Sequence, residues 1–464
     1  MQPRSRLVLA ALAFSIAGCA AFHPQPLKPE DELGALRRHD LAGFVVERAR
    51  PGERAAPSDF PFDPSDGLDE RELVAVALTL NPGLRAKRLE TGEAQAALIT
   101  AGLWPNPDLG VSWRTGVGGA SGSNVAIDLL VELLKPWERR ARKEVAVARI
   151  EEAKAGLIAE EWRLVADVRS QLLATLVAEH SLRLLEEEGR LREHVLRLAQ
   201  RRVELGEGTK LDVSVAELDF AQVRQDARRA QAELGTARRN LNLQLGLPPE
   251  LPVRLVEFEK PFTVTLFAEL SDDELEQRLL AGRFELRAKE SAYQKAEQEL
   301  RLAVYQQFPG LKLGPSFERE LGGDKSLGLG VALELPAFDR KQGEIAEKAS
   351  QRDRLRAEYA ALLHRLKAAA YEARAQLQAA RLEVEFHEKE TLPLATRSQA
   401  LFEAAFRARE LSVLDWLTAQ QRTLRARRDY LESLGRYRQA VIHLEAATGM
   451  PLTQAPGSSE KRGS

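Results

Sequence analysis

The chain has 464 residues, and its 67 Lys and Arg side chains against 69 Asp and Glu give a formal net charge of −2. This near-neutral balance excludes a protein that binds nucleic acid mainly through an excess of basic charge. Hydrophobic residues make up 44% of the chain and the mean hydropathy is −0.32. These values exclude a bundle of many membrane-spanning helices, each of which needs about 20 consecutive apolar residues. With a single Cys, the chain forms neither an internal disulfide nor a metal site built from several thiolates.

The N-terminus carries the pattern of a bacterial lipoprotein signal. A short basic stretch precedes an apolar run over residues 7–16, which is too short to span a bilayer as a helix. The next residues end at Cys19 and resemble a lipobox, which implies that residues 1–18 are a signal peptide and that the Cys19 thiol is lipidated. Ala20 follows; because an Asp at this position would resemble the signal for retention in the inner membrane, Ala20 favours the outer membrane. The alternative is an ordinary signal peptide with an incidental Cys.

Proline and glycine content sets off the two ends of the chain. Residues 19–70 are Pro-rich, and we expect an extended, loop-like arm because repeated Pro blocks helix formation. The tail over residues 451–464 is rich in Gly, Ser and Lys and is expected to be disordered.

An internal repeat organises the rest of the chain. Short matches recur at a near-constant offset of about 200 residues, far longer than the unit of a small solenoid, which indicates a duplicated domain. The first repeat covers residues 71–248, a Pro-rich linker covers 249–271, and the second repeat covers 272–450. The matched segments are Leu84-Arg85-Ala86-Lys87 with Leu286-Arg287-Ala288-Lys289, Leu211-Asp212 with Leu414-Asp415, and Gly246-Leu247-Pro248 with Gly449-Met450-Pro451.

Both repeats predict the same order of elements, namely a helix, two strands, a very long helix and a further helix. In the first repeat these are helix 72–103, strands 107–115 and 124–134, helix 138–205 and helix 210–245. In the second repeat they are helix 272–307, strands 310–320 and 326–336, helix 342–407 and helix 413–447.

The predicted strands alternate between apolar and small or charged residues. Two interpretations fit this alternation: half of a soluble sheet packed on a core, or transmembrane strands with one face toward lipid and one toward a lumen. Aromatic residues in or near the strand ends favour a membrane-interface belt, or alternatively cap a soluble core. They are Trp104, Trp113, Trp137, Phe308 and Phe338.

The long helices 138–205 and 342–407 carry small and apolar residues at a spacing close to that of coiled coils. At 1.5 Å per residue each would form a rod of roughly 100 Å, which must extend beyond a four-stranded sheet. Gly189 and Pro393 fall at equivalent places and are candidate bends.

Each rod ends in a tight turn followed by a capping box. Thr209 with Asp212, and Ser412 with Asp415, fit the pattern in which a hydroxyl residue and an acidic residue three positions later open a helix. Helix capping is one explanation for the two aspartates, and a role in a pore is the other; both can hold together.

The lipobox, the two repeats, the strand pairs between very long helices and the Leu-Asp after each tip resemble the TolC-like outer-membrane efflux factor family, over about residues 70–450. The resemblance implies a mainly α fold with a β-barrel part. Three protomers would form a 12-stranded outer-membrane barrel and a periplasmic α-helical tunnel. It also implies that the tips meet a periplasmic adaptor (membrane fusion protein) that couples to an inner-membrane transporter.

The resemblance also assigns residues. Asp212 and Asp415 match the positions of a channel constriction. The adaptor-docking tips are Gly206, Glu207, Gly208 and Thr209 in the first repeat and Arg409, Glu410, Leu411 and Ser412 in the second. The chain departs from the family at Arg409, where a Gly is usual, and at Leu411, where some members keep an Arg that ties the closed state.

Residues 335–346 resemble the stretch that enters the second long helix in cobalt–zinc–cadmium efflux members. We therefore expect an exit duct for heavy-metal cations, with a multidrug or type I secretion duct as the alternative. No catalytic set, cofactor motif or resident metal site is predicted, and metal would pass as cargo. A lipid-anchored coiled-coil scaffold of the cell envelope is the competing class, in which the strands would form a small soluble sheet.

Overall fold

The computed structural model describes residues 22–41, 62–115, 123–133, 135–256, 270–320, 324–408 and 413–452. Its first half contains helices α1 (Pro29–Arg37), α2 (Glu70–Leu80) and α3 (Pro82–Gly102), strands β1 (Asp108–Thr115) and β2 (Ser123–Leu133), and helices α4 (Pro136–Glu204) and α5 (Lys210–Leu245). Its second half contains helices α6 (Asp272–Gly282) and α7 (Phe284–Gln306), strands β3 (Leu311–Arg319) and β4 (Lys325–Leu333), helix α8 (Gln342–Phe386), a π-helical segment (His387–Thr391), and helices α9 (Leu392–Arg407) and α10 (Val413–Thr448).

The single helix predicted over residues 72–103 is wrong, because the chain breaks between α2 and α3. Asn81 is extended, with φ −63° and ψ 119°, since the residue before a proline is disfavoured in the helical region. Its side chain caps α3 by accepting from Leu84 N at 3.1 Å, and its Nδ2 donates to the carbonyl of Gln244 at 3.0 Å. The Asn81 side chain therefore links the break between α2 and α3 to the end of α5.

The helix predicted over residues 272–307 is broken at the equivalent place. Arg283 is extended between α6 and α7, and its guanidinium donates to the carbonyl of Ala446, near the end of α10. Asn81 and Arg283 thus make equivalent contacts in the two repeats: each side chain donates to a backbone carbonyl near the end of the last helix of its repeat. Pro82 explains the first break, whereas the second has no proline and depends on tertiary packing.

A left-handed glycine ends the last helix of each repeat and packs on the break. Gly246 has φ 73°, and a Cβ there would lie 2.5 Å from the Leu80 carbonyl oxygen. Gly449 has φ 71°, and a Cβ there would lie still closer to the Gly282 carbonyl. Only glycine allows both the backbone conformation and the close approach.

Helix α1 corrects the prediction of a wholly extended arm over residues 19–70. Pro29 occupies the first turn, where its missing N–H costs nothing, and Glu30, Asp31 and Glu32 favour the positive end of the helix dipole. After the helix, His39 Nδ1 lies 3.0 Å from the Gly246 carbonyl oxygen, which attaches this segment to the first repeat.

The two predicted rods differ in regularity. Helix α4 has 69 residues and continues as α-helix through Gly189, with a length of roughly 100 Å. The second rod is interrupted by the π-helical segment just before Pro393. Because Pro393 has no N–H for the carbonyl of Lys389, the chain widens there, and Leu392 N bonds to the carbonyl of His387.

The four predicted strands are present and form one antiparallel sheet in the order β1-β2-β3-β4. The pairing of β2 with β3 is interrupted between Asp128–Ser316 and Val131–Leu313. Pro315 lies at this interruption and has no N–H to donate. At Gly314 the two backbones approach so closely that a Cβ would clash with the Leu129 carbonyl.

The helices form a layer that extends from the sheet. Next to the sheet, α4 packs between α3 and α7, and α8 packs on the far side of α7. Farther away, α4 packs against α5 and α10, and α10 against α8 and α9. A buried core lies at the level of the two helix breaks in each repeat, around Leu73 and Val168 in the first and around Leu275 and Ala370 in the second.

We predict that Gly246→Ala and Gly449→Ala each destabilise the chain by more than about 1 kcal/mol, because the substitution adds both backbone strain and a clash. The measurement is the apparent thermal unfolding midpoint by circular dichroism. Gly92→Ala is the matched control, since Gly92 lies in α3 with open space around its Cβ position and should hold or raise the midpoint. Equal midpoints for all three variants would contradict the assignment.

Candidate functional site

One face of the sheet is apolar across all four strands. Directly paired residues share a face, and the rows across the sheet join apolar partners such as Val111 with Ile127 and Phe317 with Leu327. Leu327 is 82% exposed and Leu329 is 72% exposed. An exposed apolar patch of this kind marks a membrane or protein contact. Its exposed members are Leu109, Val111, Trp113, Ile127, Leu129, Val131, Leu133, Phe317, Leu327, Leu329, Val331 and Leu333.

The opposite face carries small and charged side chains. Lys312 Nζ donates to Asp108 Oδ2 at 2.7 Å, and Asn124 Nδ2 donates to Glu318 Oε1 at 2.8 Å. The small members of this face are Gly110, Ser112, Ala126, Gly314, Ser316, Ser326, Gly328, Gly330 and Ala332. Their size leaves this face open to water, so the sheet separates an apolar side from a wet side.

Both edges of the sheet are open within the described residues. There, β1 pairs only with β2, and β4 only with β3. Each outer edge therefore presents backbone N–H and C=O groups that another strand can pair with.

Aromatic side chains gather where the sheet meets the helices. Trp104 precedes β1, Phe308 precedes β3, and Trp137 follows β2; they are 57%, 53% and 50% exposed. The Arg139 guanidinium lies 4.9 Å from the Trp104 ring centroid, and Lys135 Nζ lies 5.9 Å from that of Phe308. Exposed aromatics beside cations at the end of an apolar band are typical of a membrane interface.

A cleft of about 850 Å³ crosses α3, α4, α7 and α8 on one side of the helical layer. All four helices contribute charged side chains and alanines to it, among them Glu90, Arg149, Lys289 and Arg365. Since one cleft is shared by four neighbouring helices, the layer is concave on this side. The lining is polar enough to hold water and ions.

The first helical tip has the geometry that the sequence predicts for a tight hairpin. Helix α4 ends as Gly206 turns left-handed with φ 76°, and Glu207 N bonds to the Arg202 carbonyl at 2.9 Å. Helix α5 then opens with a complete capping box: Asp212 N donates to Thr209 Oγ1 at 3.2 Å, and Thr209 N donates to Asp212 Oδ2 at 3.0 Å.

The Asp212 carboxylate accepts from the Thr209 backbone N–H and also, at 2.8 Å, from the Thr209 hydroxyl; these two bonds, the backbone one first, lower the pKa of Asp212 below its ordinary value. The charged carboxylate is therefore the form that caps the helix. The stabilisation is fully present above the ordinary pKa of an aspartate and is lost as the pH falls through the lowered value.

The same tip exposes leucines at a seven-residue spacing on each of its two helical arms. Leu205 is 65% exposed and Leu211 is 71% exposed, on either side of the turn. Leu198 and Leu218 lie one heptad farther along α4 and α5 and are also exposed. Such a stripe suits packing against another helix.

The structure does not reach the other predicted site residues. Cys19 and the second tip, Arg409, Glu410, Leu411 and Ser412, lie outside the described residues. Asp415 lies in the first turn of α10, and its side chain is likewise outside the described part.

A buried ionic network links the two repeats above the tips, and the sequence analysis missed it. Arg192 of α4 is 1% exposed and donates to Glu188 Oε1 at 3.2 Å and to Asp219 Oδ2 at 3.3 Å. Arg428 of α10 donates to the other oxygen of Glu188 at 3.0 Å, and Gln421 lies 3.4 Å from Asp219. The sequence does carry a signal for this network. Glu188 and Arg192 occupy two successive positions between the buried Leu185 and Val195 at which a coiled coil normally places apolar residues.

We predict that Arg192→Met lowers the stability of the chain by about 3–5 kcal/mol, because it leaves Glu188 and Asp219 without their shared buried cation. Arg197→Met is the matched control: Arg197 pairs with Glu193 on the same helix, but its side chain is 62% exposed. The apparent thermal midpoint should fall for Arg192→Met and hold for the control. A similar midpoint for both variants would show that the network contributes little.

Among the described residues, no helix is both long and apolar enough to cross a bilayer. The part of the chain that the structure describes also contains no group of three or more His, Cys, Asp or Glu side chains placed to hold a metal ion.

Known proteins match this architecture. The sequence model of the outer membrane efflux protein family matches residues 73–247. The chain is 24% identical over 412 residues to the cobalt-zinc-cadmium resistance protein CzcC of Cupriavidus metallidurans, an alignment that covers 88% of this chain and 96% of CzcC.

Solved structures of outer-membrane channels share the fold. CusC superposes with a TM-score of 0.68 at 19% identity, over 85% of this chain and 96% of CusC. The outer membrane channel CmeC of Campylobacter jejuni superposes with a TM-score of 0.66 at 15% identity, over 95% of this chain and 96% of CmeC. The mainly helical fold with a small antiparallel sheet is therefore that of the TolC-like channels.

Proposed function

We propose that this chain, whose residues 73–247 match the outer membrane efflux protein family, is the exit duct of a tripartite efflux system. In this proposal it conducts passively what an inner-membrane transporter delivers through a periplasmic adaptor. The observation that carries the proposal is the sheet, with an exposed apolar face, a polar face and two open edges.

The open edges support a trimer. In lipid, each unpaired backbone group costs several kcal/mol, so a sheet in a membrane has to close on itself. In the antiparallel order found here, β4 of one copy can pair with β1 of the next. Three copies would supply twelve strands and close a barrel with its apolar face toward lipid and its polar face toward the lumen.

The concave helical layer supports a tunnel that continues the lumen. Three copies side by side would enclose the polar cleft between α3, α4, α7 and α8. The exposed leucines of the first tip support docking of adaptor helices at Gly206, Glu207, Gly208 and Thr209. The second tip, Arg409 to Ser412, would dock in the same way.

We propose that the protein lies in the outer membrane with its helices in the periplasm, anchored in addition through a lipid on Cys19. The lipobox-like sequence supports the anchor, and each acyl chain would add about 0.8 kcal/mol of membrane affinity per buried CH₂. Mass spectrometry of the N-terminal peptide tests this point, because an unmodified Cys19 thiol would refute the anchor.

Heavy-metal cations are the proposed cargo. The relative CzcC is named for cobalt, zinc and cadmium resistance, and residues 335–346 resemble the cobalt–zinc–cadmium branch. Cargo metal needs no resident site, because a duct works through the shape and charge of its lumen.

The proposed cargo predicts that a strain lacking this protein accumulates zinc, cobalt or cadmium under metal stress. The measurement is the metal content of cells with the gene, of cells without it, and of deletion cells that carry the Gly92→Ala gene, which should restore export. Normal metal content in the deletion strain would refute the cargo and favour a drug or polypeptide as substrate of the same duct.

A constriction at Asp212 and Asp415 predicts a specific electrical phenotype. In planar bilayers, Asp415→Asn should reduce the preference of the open channel for cations over anions, because a ring of three carboxylates attracts cations. Asp212→Asn should act in the same direction, because it removes the equivalent carboxylate of the first repeat. Unchanged ion selectivity in both variants would show that Asp212 and Asp415 do not form the constriction.

A further inference from the structure

A second groove lies on the other side of the helical layer from the cleft. It has a volume of about 600 Å³ and lies between α4 and α7. Val147 of α4 lines the groove, whereas Arg149 of the same helix lines the cleft. Two residues correspond to a rotation of about 200° around the helix axis, so the two side chains point to opposite sides of the layer. On α7, Gln294 and Ala292 are related in the same way. The groove therefore opens on the convex side, outside the proposed tunnel.

The groove would stay open in a trimer. Helices α4 and α7 are the two central helices of the layer, with α3 and α8 on either side of them. Copies that join through β1 and β4 would meet beside α3 and α8, which adjoin those strands in the chain. The groove between α4 and α7 lies away from that junction.

The upper end of the groove lies at the depth of lipid headgroups, if the sheet spans the membrane as proposed. Arg140 comes four residues after the start of α4 at Pro136, and Arg301 five residues before the end of α7 at Gln306. At 1.5 Å per residue these are about 6 and 8 Å from the helix ends, beside which the exposed aromatics Trp137 and Phe308 lie. The headgroup layer is about 5–8 Å thick on each side of the hydrocarbon. Trp137 marks the same level from the sheet side.

One carboxylate positions two arginines at this end. Arg140 Nε lies 2.9 Å from Glu144 Oε1, and Arg301 Nη1 lies 3.0 Å from Glu144 Oε2. The side chains of Arg140 and Arg301 are 79% and 50% exposed, so donors remain free to face outward. Lys143 adds a third cation to the wall. The groove is lined by these three cations and by two carboxylates, Glu144 and Glu151, which leaves an excess of one positive charge that suits a phosphate.

From these contacts we propose that the groove between α4 and α7 binds an anionic phospholipid of the inner leaflet of the outer membrane. Arg140, Lys143 and Arg301 bind its phosphate. The site rests on the proposed function, because it requires the sheet to lie in a membrane. It would fix the depth of the duct in the bilayer.

The test titrates the detergent-purified full-length protein with phosphatidylglycerol or phosphatidylcholine in mixed micelles and follows the apparent unfolding midpoint. Phosphatidylglycerol should stabilise the wild type at lower concentration than phosphatidylcholine. In the triple variant R140Q/K143Q/R301Q the half-saturating concentration of phosphatidylglycerol should rise by about tenfold or more, because charge-assisted bonds to its phosphate are lost. R197Q is the matched control and should titrate like the wild type.

A second variant keeps the proposal testable if the triple variant fails to fold. Arg301→Gln alone should raise the half-saturating concentration of phosphatidylglycerol, by less than the triple variant does. The site would be overturned if phosphatidylglycerol and phosphatidylcholine stabilised the wild type at the same concentration. It would also be overturned if both variants kept the wild-type half-saturating concentration of phosphatidylglycerol. Stabilisation by inorganic phosphate alone at the same concentration would overturn the lipid as its source.

Conductance of the same preparations in planar bilayers separates this inference from the proposed function. A wild type that forms channels without a specific effect of phosphatidylglycerol refutes the lipid site alone. A wild type that forms no channels refutes the exit duct on which the site rests.

Discussion

The apolar face of the four-stranded sheet is the constraint on which the other features depend. Rows of Leu, Val, Ile and Phe side chains cross all four strands and remain exposed, while the reverse face is small and polar. Water disfavours such a face, and lipid disfavours the open edges of β1 and β4. The proposed barrel, in which further copies of the chain close the sheet within a bilayer, would satisfy both conditions together. A soluble scaffold with a small sheet would bury this face, which the described structure leaves open.

The duplicated helix breaks explain how the long helices are held in one layer. At each break an extended residue, Asn81 or Arg283, binds a carbonyl at the end of the last helix of its repeat. A left-handed glycine packs its backbone against the same place. These junctions, with the buried cores beside them, fix the rods at mid-length. The tips beyond are joined across the repeats by the Arg192 network, a contact that any separation of α10 from α4 and α5 has to break.

Local sequence signals predicted the elements whose periodicity decides their structure. The alternation in 125–133 and 327–335 and the capping box at Thr209 and Asp212 were sufficient to place the strands and the first tip. Features set by tertiary contacts were not predicted. The break at Arg283 has no proline to signal it, and the π-helical segment depends on how the chain widens before Pro393. The burial of Arg192 depends on α10, a helix more than two hundred residues away.

The central claim is that the apolar face of the sheet contacts lipid and the polar face contacts water. Neighbouring residues of β4 test it directly, because Val331 lies on the apolar face and Ala332 on the polar face. Single Val331→Cys and Ala332→Cys variants in outer-membrane vesicles would be treated with a charged, membrane-impermeant maleimide. The unsubstituted chain, with Cys19 alone, gives the background. We expect labelling above background at position 332 and none at position 331. Equal labelling at both positions would contradict a sheet that spans the membrane.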